Sequence, residues 1–185
     1  VIYSFKNPES YKRNNLIATS NLFYLILKKK IKNFIFSSSS SVYGDQKKYP
    51  IKENFKFYPI NYYAKTKIAC ENKIKSKLKN QNISTKIIRP FTVYGPYGRP
   101  DMLILKLLSA IKNKKKINIY DHGNQLRDFT YIKDVVKIIY LLSKKNNTKI
   151  KIYNICASNP ISINHIIKII KKRLNIKIKI NYEKK

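Results

Sequence analysis

Short apolar runs alternate along this chain with longer segments in which apolar residues recur every three or four positions. The first pattern is typical of buried strands, and the second is typical of helices that pack on a sheet. The predicted strands are 33–36, 86–89, 118–120, 129–131 and 151–155, with an edge strand over 176–180 where isoleucine alternates with lysine. The predicted helices are 10–27, 62–79, 102–111, 134–143 and 161–174. This order favours an α/β fold with a mostly parallel sheet.

Candidate chemistry follows the first predicted strand. The serine run Ser37 to Ser41 forms a hydroxyl-rich turn at its carboxyl end, where open α/β sheets bind ligands. Further along, Tyr63 and Lys67 lie one helical turn apart on the same face of predicted helix 62–79. An ammonium beside a phenol favours the phenolate and lowers a tyrosine pKa that is ordinarily about 10. Such a tyrosine can take a proton from a hydroxyl near neutral pH, so the pattern indicates an enzyme.

The Tyr-Lys spacing alone does not identify an active site, because the chain contains 15 Tyr and 40 Lys and Arg. A solvated helix face and a serine turn that only caps the following segment are the alternative interpretations. The same spacing recurs at Tyr24/Lys28, Tyr43/Lys47 and Tyr140/Lys144. Only the surrounding sequence can distinguish a catalytic pair from these alternatives.

The charge balance is strongly basic, with 40 Lys and Arg against 9 Asp and Glu and a formal net charge of +31. Nucleic-acid-binding proteins often have such a balance. The lysines are nevertheless spread through every segment, and Lys, Ile, Asn and Tyr are abundant while Gly, Trp and Ala are scarce. An adenine/thymine-rich coding sequence produces this bias. We favour that origin over a selected polyanion site and expect only non-specific binding to nucleic acid.

Other function classes are disfavoured by what the sequence lacks. No run of eighteen apolar residues is present, so no transmembrane span is predicted. The first residues do not have the pattern of a signal peptide. Cys70 and Cys156 have no metal-ligand spacing and do not indicate a disulfide framework. We therefore expect a cytoplasmic protein without a metal site.

Three longer segments give the Tyr-Lys pair its context. They are Arg89–Met102 (RPFTVYGPYGRPDM), Arg127–Val136 (RDFTYIKDVV) and Val1–Leu27. Together with the serine turn and Tyr-x-x-x-Lys, the chain resembles the extended short-chain dehydrogenase/reductase family of nucleotide-sugar epimerases and dehydratases. The resemblance is greatest to UDP-glucuronate 4-epimerases and runs from the first residues to about Ser162.

The resemblance implies a Rossmann-like doubly wound parallel sheet and a smaller substrate-binding α/β region. We expect a partial NAD-binding domain over 1–90 and a mainly substrate-binding region over 91–185, with a segment returning to the Rossmann sheet near 129–155. The 4 glycines, at 44, 95, 98 and 123, do not form the Gly-rich cofactor turn of the family. Relatives also continue beyond the last residue of this chain. We therefore expect a fragment at both ends that is inactive by itself.

The resemblance also implies roles for individual residues. Tyr63 is the expected catalytic base, Lys67 its electrostatic partner, and Ser39 the hydroxyl that relays the proton from sugar O4. The adjacent Ser40 and Ser41 leave the choice of relay open. The cofactor implied is NAD, although NADP is not excluded by the sequence. The expected cofactor-binding residues are Asn15, Ser37, Tyr63, Lys67 and Pro90.

The expected substrate is a UDP-sugar. Related 4,6-dehydratases place an Asp-Glu pair where this chain has Ser40 and Ser41, so dehydration is disfavoured. Thr92 and Arg99 match residues that contact a C6 carboxylate, and a guanidinium pairs with a carboxylate in bidentate fashion. Arg127 matches a diphosphate contact. The expected substrate-binding residues are Ser39, Ser40, Ser41, Thr92, Arg99 and Arg127.

The sequence therefore predicts a 4-epimerase that converts UDP-glucuronate to UDP-galacturonate through a transient 4-keto sugar and is a homodimer in its full-length form. Two alternatives remain open. One is a different nucleotide-sugar epimerase or decarboxylase of the same family, and the other is a truncated, inactive, basic binding protein.

Overall fold

A computed structural model describes residues 3–146 and 149–184 of the protein. Val1 and Ile2, which begin the amino-terminal segment quoted above, lie outside the described residues. The chain forms two compact units, which we describe separately. Unit 1 comprises Val1–Phe91 and Val135–Ile155, and unit 2 comprises Thr92–Asp134 and Cys156–Lys185.

Helices and short strands make up both units. The strands are β1 (Asn33–Ser37), β2 (Ser84–Pro90), β3 (Thr92–Tyr94), β4 (Ile117–Tyr120), β5 (Leu126–Tyr131), β6 (Lys151–Ile155), β7 (Pro160–Ser162) and β8 (Ile180–Glu183). The α-helices are α1 (Tyr3–Lys6), α2 (Pro8–Tyr11), α3 (Ala18–Lys28), α4 (Tyr62–Leu78), α5 (Leu103–Lys112), α6 (Ile132–Lys144) and α7 (Ile163–Leu174). A π-helical segment covers Lys12–Ile17, and 3₁₀ turns cover Ser40–Tyr43 and Asp121–Gly123.

Unit 1 is built on a parallel sheet in the order β1-β2-β6. Asn33 pairs with Ser84, and Arg89 pairs with Asn154, so the carboxyl ends of the three strands lie at one edge. The apolar core of this unit packs helix side chains against β2 and consists of Phe23, Ile26, Ile74, Leu78, Ile83 and Ile87. The predicted α/β fold with a parallel, Rossmann-like sheet is confirmed.

The amino-terminal helix of unit 1 contains a π-helical segment. The Asn7 side chain accepts a hydrogen bond from the Ser10 amide at 3.0 Å, and Pro8 occupies the first helical turn. The backbone stays right-handed helical through both junctions of the segment Lys12–Ile17. One helical run therefore extends from α2 through the π segment to α3.

Unit 2 contains two small sheets. Strand β5 pairs in parallel with β3 and antiparallel with β7, and β4 pairs in parallel with β8. Buried and exposed positions alternate along β4, as the period-two pattern predicts. Its inward residues meet α5 and α7 in a core of Leu107, Ile117, Ile119, Ile163 and Ile167.

The prediction of a strand over 176–180 was wrong, since strand β8 is Ile180–Glu183. The Ile176 amide donates to the Lys171 carbonyl at 3.2 Å and Asn175 is left-handed, so Asn175 and Ile176 complete the end of α7. The sequence analysis also missed β3 and β7, which are three residues each. Within the described residues, no helix is both long enough and apolar enough to cross a membrane.

Candidate active site

The serine turn lies at the carboxyl end of β1. The Ser38 amide donates to the Ile88 carbonyl at 2.8 Å, which extends the β1–β2 pairing by one residue. Ser39 then caps the 3₁₀ turn Ser40–Tyr43, since its hydroxyl accepts from the Ser41 amide at 3.2 Å. The Ser39 hydroxyl also donates to the Ser41 hydroxyl at 3.1 Å. Two of the three candidate relay residues are thus hydrogen-bonded to each other.

A glycine closes the serine turn. Gly44 has φ +60°, and a Cβ at this position would lie 1.7 Å from the Tyr58 carbonyl oxygen. The backbone conformation and the lack of space both require glycine here.

Lys67 reaches this turn from α4. Its ammonium donates to the Ser37 carbonyl at 2.9 Å and lies 5.0 Å from the Phe36 ring centre and 5.8 Å from the Tyr63 ring centre. Burial lowers the pKa of Lys67, and the nearby Cys70 thiol acts in the opposite direction. The predicted approach of Lys67 to Tyr63 is therefore present. The predicted effect on the pKa of Tyr63 stays a prediction.

Two other Tyr-Lys pairs with the same spacing also form contacts. The Lys28 ammonium lies 5.2 Å from the Tyr24 ring centre, and the Lys144 ammonium lies 5.3 Å from the Tyr140 ring centre. Both rings are exposed, at 63% for Tyr24 and 60% for Tyr140. Contact between the two side chains is thus common in this chain. What distinguishes Lys67 is its bond to the backbone at the carboxyl end of a sheet strand.

Asn15 is connected to the first turn of α4. Its side-chain amide donates to the Thr66 hydroxyl at 2.8 Å, and that hydroxyl donates to the Tyr63 carbonyl at 2.8 Å. The Tyr63 ring also packs edge-on against Tyr11, with 5.9 Å between ring centres. Asn61 begins α4 by accepting from the Ala64 amide at 2.8 Å. These contacts fix the position of the α4 turn that contains Tyr63.

The sequence analysis missed a buried ion pair between Glu71 and Arg89. Arg89 donates from Nε to Glu71 Oε1 at 2.9 Å and from Nη2 to Oε2 at 2.6 Å, and both side chains are at most 1% exposed. The Ser38 hydroxyl donates to the same Oε1 at 2.6 Å. A signal was available, because Glu71 is one of only 9 acidic residues and follows Tyr63 and Lys67 at intervals of one helical turn.

The network continues from Arg89 to the other side of the serine turn. Arg89 Nη1 donates to the Tyr43 hydroxyl at 2.6 Å and to the Glu53 carbonyl at 2.8 Å. The Tyr43 hydroxyl donates to Asn154 Oδ1 at 2.6 Å. Burial raises the pKa of Tyr43. Burial acts to lower the pKa of Arg89, but its hydrogen bonds to Glu71 and Tyr43 outweigh burial and raise the pKa, so Arg89 is charged.

Pro90 is the last residue of β2 and is half-buried. It pairs with Ile155, and the next amide, from Phe91, donates to the Ile155 carbonyl at 2.9 Å. Pro90 therefore lies at the same edge of the unit 1 sheet as Ser37. Unit 1 contains all the predicted catalytic and cofactor-binding residues.

Unit 2 contains the predicted substrate-binding residues outside the serine turn, which are Thr92, Arg99 and Arg127. Thr92 and Arg127 line one open cavity of about 530 Å³, together with Asn118, Gln125 and other residues. Arg127 is exposed, and its guanidinium donates to Gln125 Oε1 at 3.3 Å. Gln125 and Asn118 were missed by sequence analysis, because nothing in their spacing links them to this cavity.

Arg99 is not among the residues that line this cavity. Its guanidinium donates to both carboxylate oxygens of Asp101, at 3.0 and 2.9 Å, in an exposed ion pair. Hydrogen bonding from Arg99 is the main cause of a lowered Asp101 pKa. The bidentate geometry shows that Arg99 can hold a carboxylate, and here the carboxylate belongs to the chain itself.

Within residues 3–146 and 149–184, no group of three or more His, Cys, Asp or Glu side chains is placed to hold an ion. What unit 1 offers is a phenol beside a lysine, next to a set of hydroxyls. Such a set is suited to moving a proton.

Comparisons with known proteins identify the family of the chain. The family model described as "NAD dependent epimerase/dehydratase family" matches residues 1–156. A UDP-glucuronate 4-epimerase of Thermodesulfobacterium geofontis is 35% identical over 97% of this chain and 55% of its own length.

Two solved structures are similar. A UDP-N-acetylglucosamine 4-epimerase from Methanobrevibacter ruminantium M1, in complex with UDP-N-acetylmuramic acid, has a TM-score of 0.92 and 33% identity, covering 100% of this chain and 60% of that one. A UDP-glucuronic acid 4-epimerase from Bacillus cereus, in complex with UDP-glucuronic acid and NAD, has a TM-score of 0.83 and 34% identity, covering 94% and 55%. The chain thus spans 55–60% of the length of these three proteins. The family predicted from the motifs is confirmed: the chain belongs to the NAD-dependent epimerase/dehydratase family.

Proposed function

We propose that the protein is a cytoplasmic, NAD-dependent nucleotide-sugar 4-epimerase that converts UDP-glucuronate to UDP-galacturonate. The observation that carries the proposal is the position of Lys67, whose ammonium lies over Tyr63 and bonds the Ser37 carbonyl at the end of β1. This is a tyrosine-lysine pair at the edge of the sheet where α/β proteins bind ligands. Similarity to two UDP-glucuronate 4-epimerases supports the choice of substrate.

The residues in unit 1 fit the nicotinamide-ribose part of NAD. An ammonium has three N–H donors, and the Ser37 carbonyl accepts from Lys67 at 2.9 Å, so a ribose hydroxyl can accept another. Asn15, Ser37, Tyr63, Lys67 and Pro90 are the residues that would hold this end of the cofactor. When bound, NAD supplies the hydride acceptor and donor for sugar C4.

The protein's own residues move the proton. Tyr63 acts as the base and takes the O4 proton through the Ser39 hydroxyl, which can accept and donate at once. Lys67 favours the phenolate form of Tyr63 by its charge. Return of the proton to O4 of the 4-keto sugar restores Tyr63, so no second substrate is required.

Substrate recognition is assigned to unit 2 and to the serine turn. Arg127 and Thr92 line one cavity, which suits the anionic diphosphate and the sugar. Arg99 has the bidentate geometry to receive a C6 carboxylate. Ser40 and Ser41 offer no acid-base pair for dehydration, which supports epimerisation.

The test is to incubate the complete gene product with NAD⁺ and UDP-glucuronate and to separate the sugar products. We expect UDP-galacturonate, and we expect its formation to be lost in Tyr63→Phe. The matched control is Tyr24→Phe, which changes an exposed tyrosine of the same spacing and retains activity. A pentose product would show decarboxylation instead.

A second candidate is 4-epimerisation of a UDP-N-acetylhexosamine. It is favoured by the similarity to the Methanobrevibacter UDP-N-acetylglucosamine 4-epimerase. Including UDP-N-acetylglucosamine and UDP-glucose among the substrates separates the two candidates. Absence of turnover with all three sugars would contradict both and support an inactive binding protein.

We also propose that the complete protein is a homodimer. Ile17, Leu22 and Leu25 lie on the amino-terminal helix with 45–48% of their surface exposed, which is an apolar face that a second copy can cover. Light scattering after size exclusion measures the mass, and a monomer at micromolar concentration would contradict this proposal.

A further inference from the structure

The serine turn is tied to α4 at two consecutive residues. The Ser37 carbonyl accepts from Lys67 at 2.9 Å, and the Ser38 hydroxyl donates to Glu71 at 2.6 Å. Lys67 and Glu71 are one helical turn apart on the helix that also contains Tyr63. The distance between the turn and this helix face is thus set by the side chains of Lys67 and Glu71.

The far side of the serine turn is held by the same buried charge network. Arg89 binds Glu71 through two bonds and also donates to the Tyr43 hydroxyl at 2.6 Å. Ser38 precedes Ser39 and Tyr43 ends the 3₁₀ turn, so both flanks of the Ser39–Ser41 segment are attached to one ion pair. All four side-chain partners are buried, with at most 4% of each residue exposed.

We propose that Glu71 and Arg89 are positioning residues for catalysis, which hold the serine hydroxyls in register with Tyr63. The inference rests on the proposed epimerase function. Neither residue touches the reacting atoms. They act through Ser38 and Tyr43 on the turn between them.

Stability alone does not require this arrangement. Burying two charges is costly, and an apolar pair of similar volume often gives a fold that is as stable. An apolar pair, however, cannot accept a hydrogen bond from the Ser38 hydroxyl or donate one to the Tyr43 hydroxyl. The ion pair thus supplies hydrogen bonds that orient the serine turn, which an apolar pair could not supply.

The experiment compares variants of the complete enzyme with UDP-glucuronate as substrate. Ser38→Ala removes one hydroxyl bond to Glu71 and changes little volume. Glu71→Leu/Arg89→Met removes the whole ion pair. The matched control is Ser84→Ala, which removes a buried hydroxyl that bonds Lys86 and the Lys145 carbonyl at the other end of β2.

A misplaced catalytic group slows the chemical step more than it weakens binding. We expect kcat to fall about tenfold in Ser38→Ala and about 100-fold in the double variant, with KM within about twofold of wild type in both. The control should keep the wild-type kcat. If the double variant does not fold, Ser38→Ala decides the question.

The outcomes separate the two levels of the proposal. An active wild type with an unchanged kcat in Ser38→Ala, or with the same loss in Ser84→Ala, overturns the positioning role and leaves the proposed function intact. A wild type without turnover on UDP-glucuronate overturns the proposed function and this inference with it.

Discussion

Replacing Glu71 with alanine should be among the most destabilising single changes in unit 1. The change removes three hydrogen bonds, two from Arg89 at 2.9 and 2.6 Å and one from Ser38 at 2.6 Å. Arg89 then remains with a side chain that is 1% exposed in the native structure and with no carboxylate beside it. Because a guanidinium does not deprotonate in proteins, the charge cannot be relieved by titration.

The expected loss follows from burial. Breaking a buried ion pair by removing one partner costs about 4 kcal/mol. The Tyr43 hydroxyl and the Glu53 carbonyl still accept hydrogen bonds from Arg89, so we expect the loss of stability not to exceed this value. For a protein of this size, about 4 kcal/mol corresponds to a fall in Tm of about 10 °C. Glu71→Leu/Arg89→Met should recover most of the loss, since it leaves no unpaired charge.

Urea unfolding of the complete gene product, followed by circular dichroism, measures this effect as a shift of the midpoint at constant slope. Glu9→Ala is the matched control, because the Glu9–Lys12 pair is exposed at 76% and 51% and its loss should cost less than about 0.5 kcal/mol. If Glu71→Ala costs no more than Glu9→Ala, the reasoning from burial is wrong.

Three further predictions concern the turn, the lysine and the exposed ion pair. Gly44→Ala should destabilise the fold by at least about 2 kcal/mol in thermal unfolding, because its φ is +60° and the new Cβ would meet the Tyr58 carbonyl oxygen; a stable variant would contradict the geometry. Burial lowers the pKa of Lys67, so if the ammonium is the active form, kcat is retained below that lowered pKa and lost as pH rises through it. Lys67→Arg should keep its remaining activity to higher pH than the wild type. If kcat falls at the same alkaline pH in both enzymes, the loss of activity is not caused by Lys67. Asp101→Asn should lower KM for UDP-glucuronate about threefold by releasing Arg99 from an exposed pair, while KM for UDP-glucose stays the same; equal changes for both sugars would exclude a role in carboxylate recognition.

The sequence predicted the elements whose signals are local. Helix α4 has an asparagine cap and a long polar-apolar pattern, and the observed bounds Tyr62–Leu78 differ from the predicted ones by a single residue. Strand β6 was predicted at Lys151–Ile155, as observed. Strands β3 and β7 are three residues long, and their pairing with β5 comes from distant parts of the chain. A period of two cannot be recognised in so short a stretch.

The same distinction applies to the candidate site. The contact between Tyr63 and Lys67 could be predicted because it is made within one helix, and the surrounding motifs singled this pair out from the others with the same spacing. The Glu71–Arg89 pair joins residues 18 positions apart on different elements, and the Ser38–Glu71 bond joins residues 33 positions apart. Long-range hydrogen bonds leave no periodic trace in the sequence. A rare acidic residue in phase with a candidate base was the one hint.

The π-helical segment Lys12–Ile17 allows the length of the chain to change at this point at little structural cost. A π turn accommodates one residue more than an α turn does, so the extra residue is absorbed within the segment. Deleting one residue before Asn15 would restore regular α winding there and leave the orientation of α2 relative to α3 nearly unchanged. Asn15 would keep its bond to Thr66 while Asn7 still capped the same helical run. A deletion within the regular winding of α3 would instead rotate the preceding residues by about 100° and move Asn15 away from Thr66. We therefore expect a change of one residue in length to be tolerated in the π segment and not in the helix that follows it.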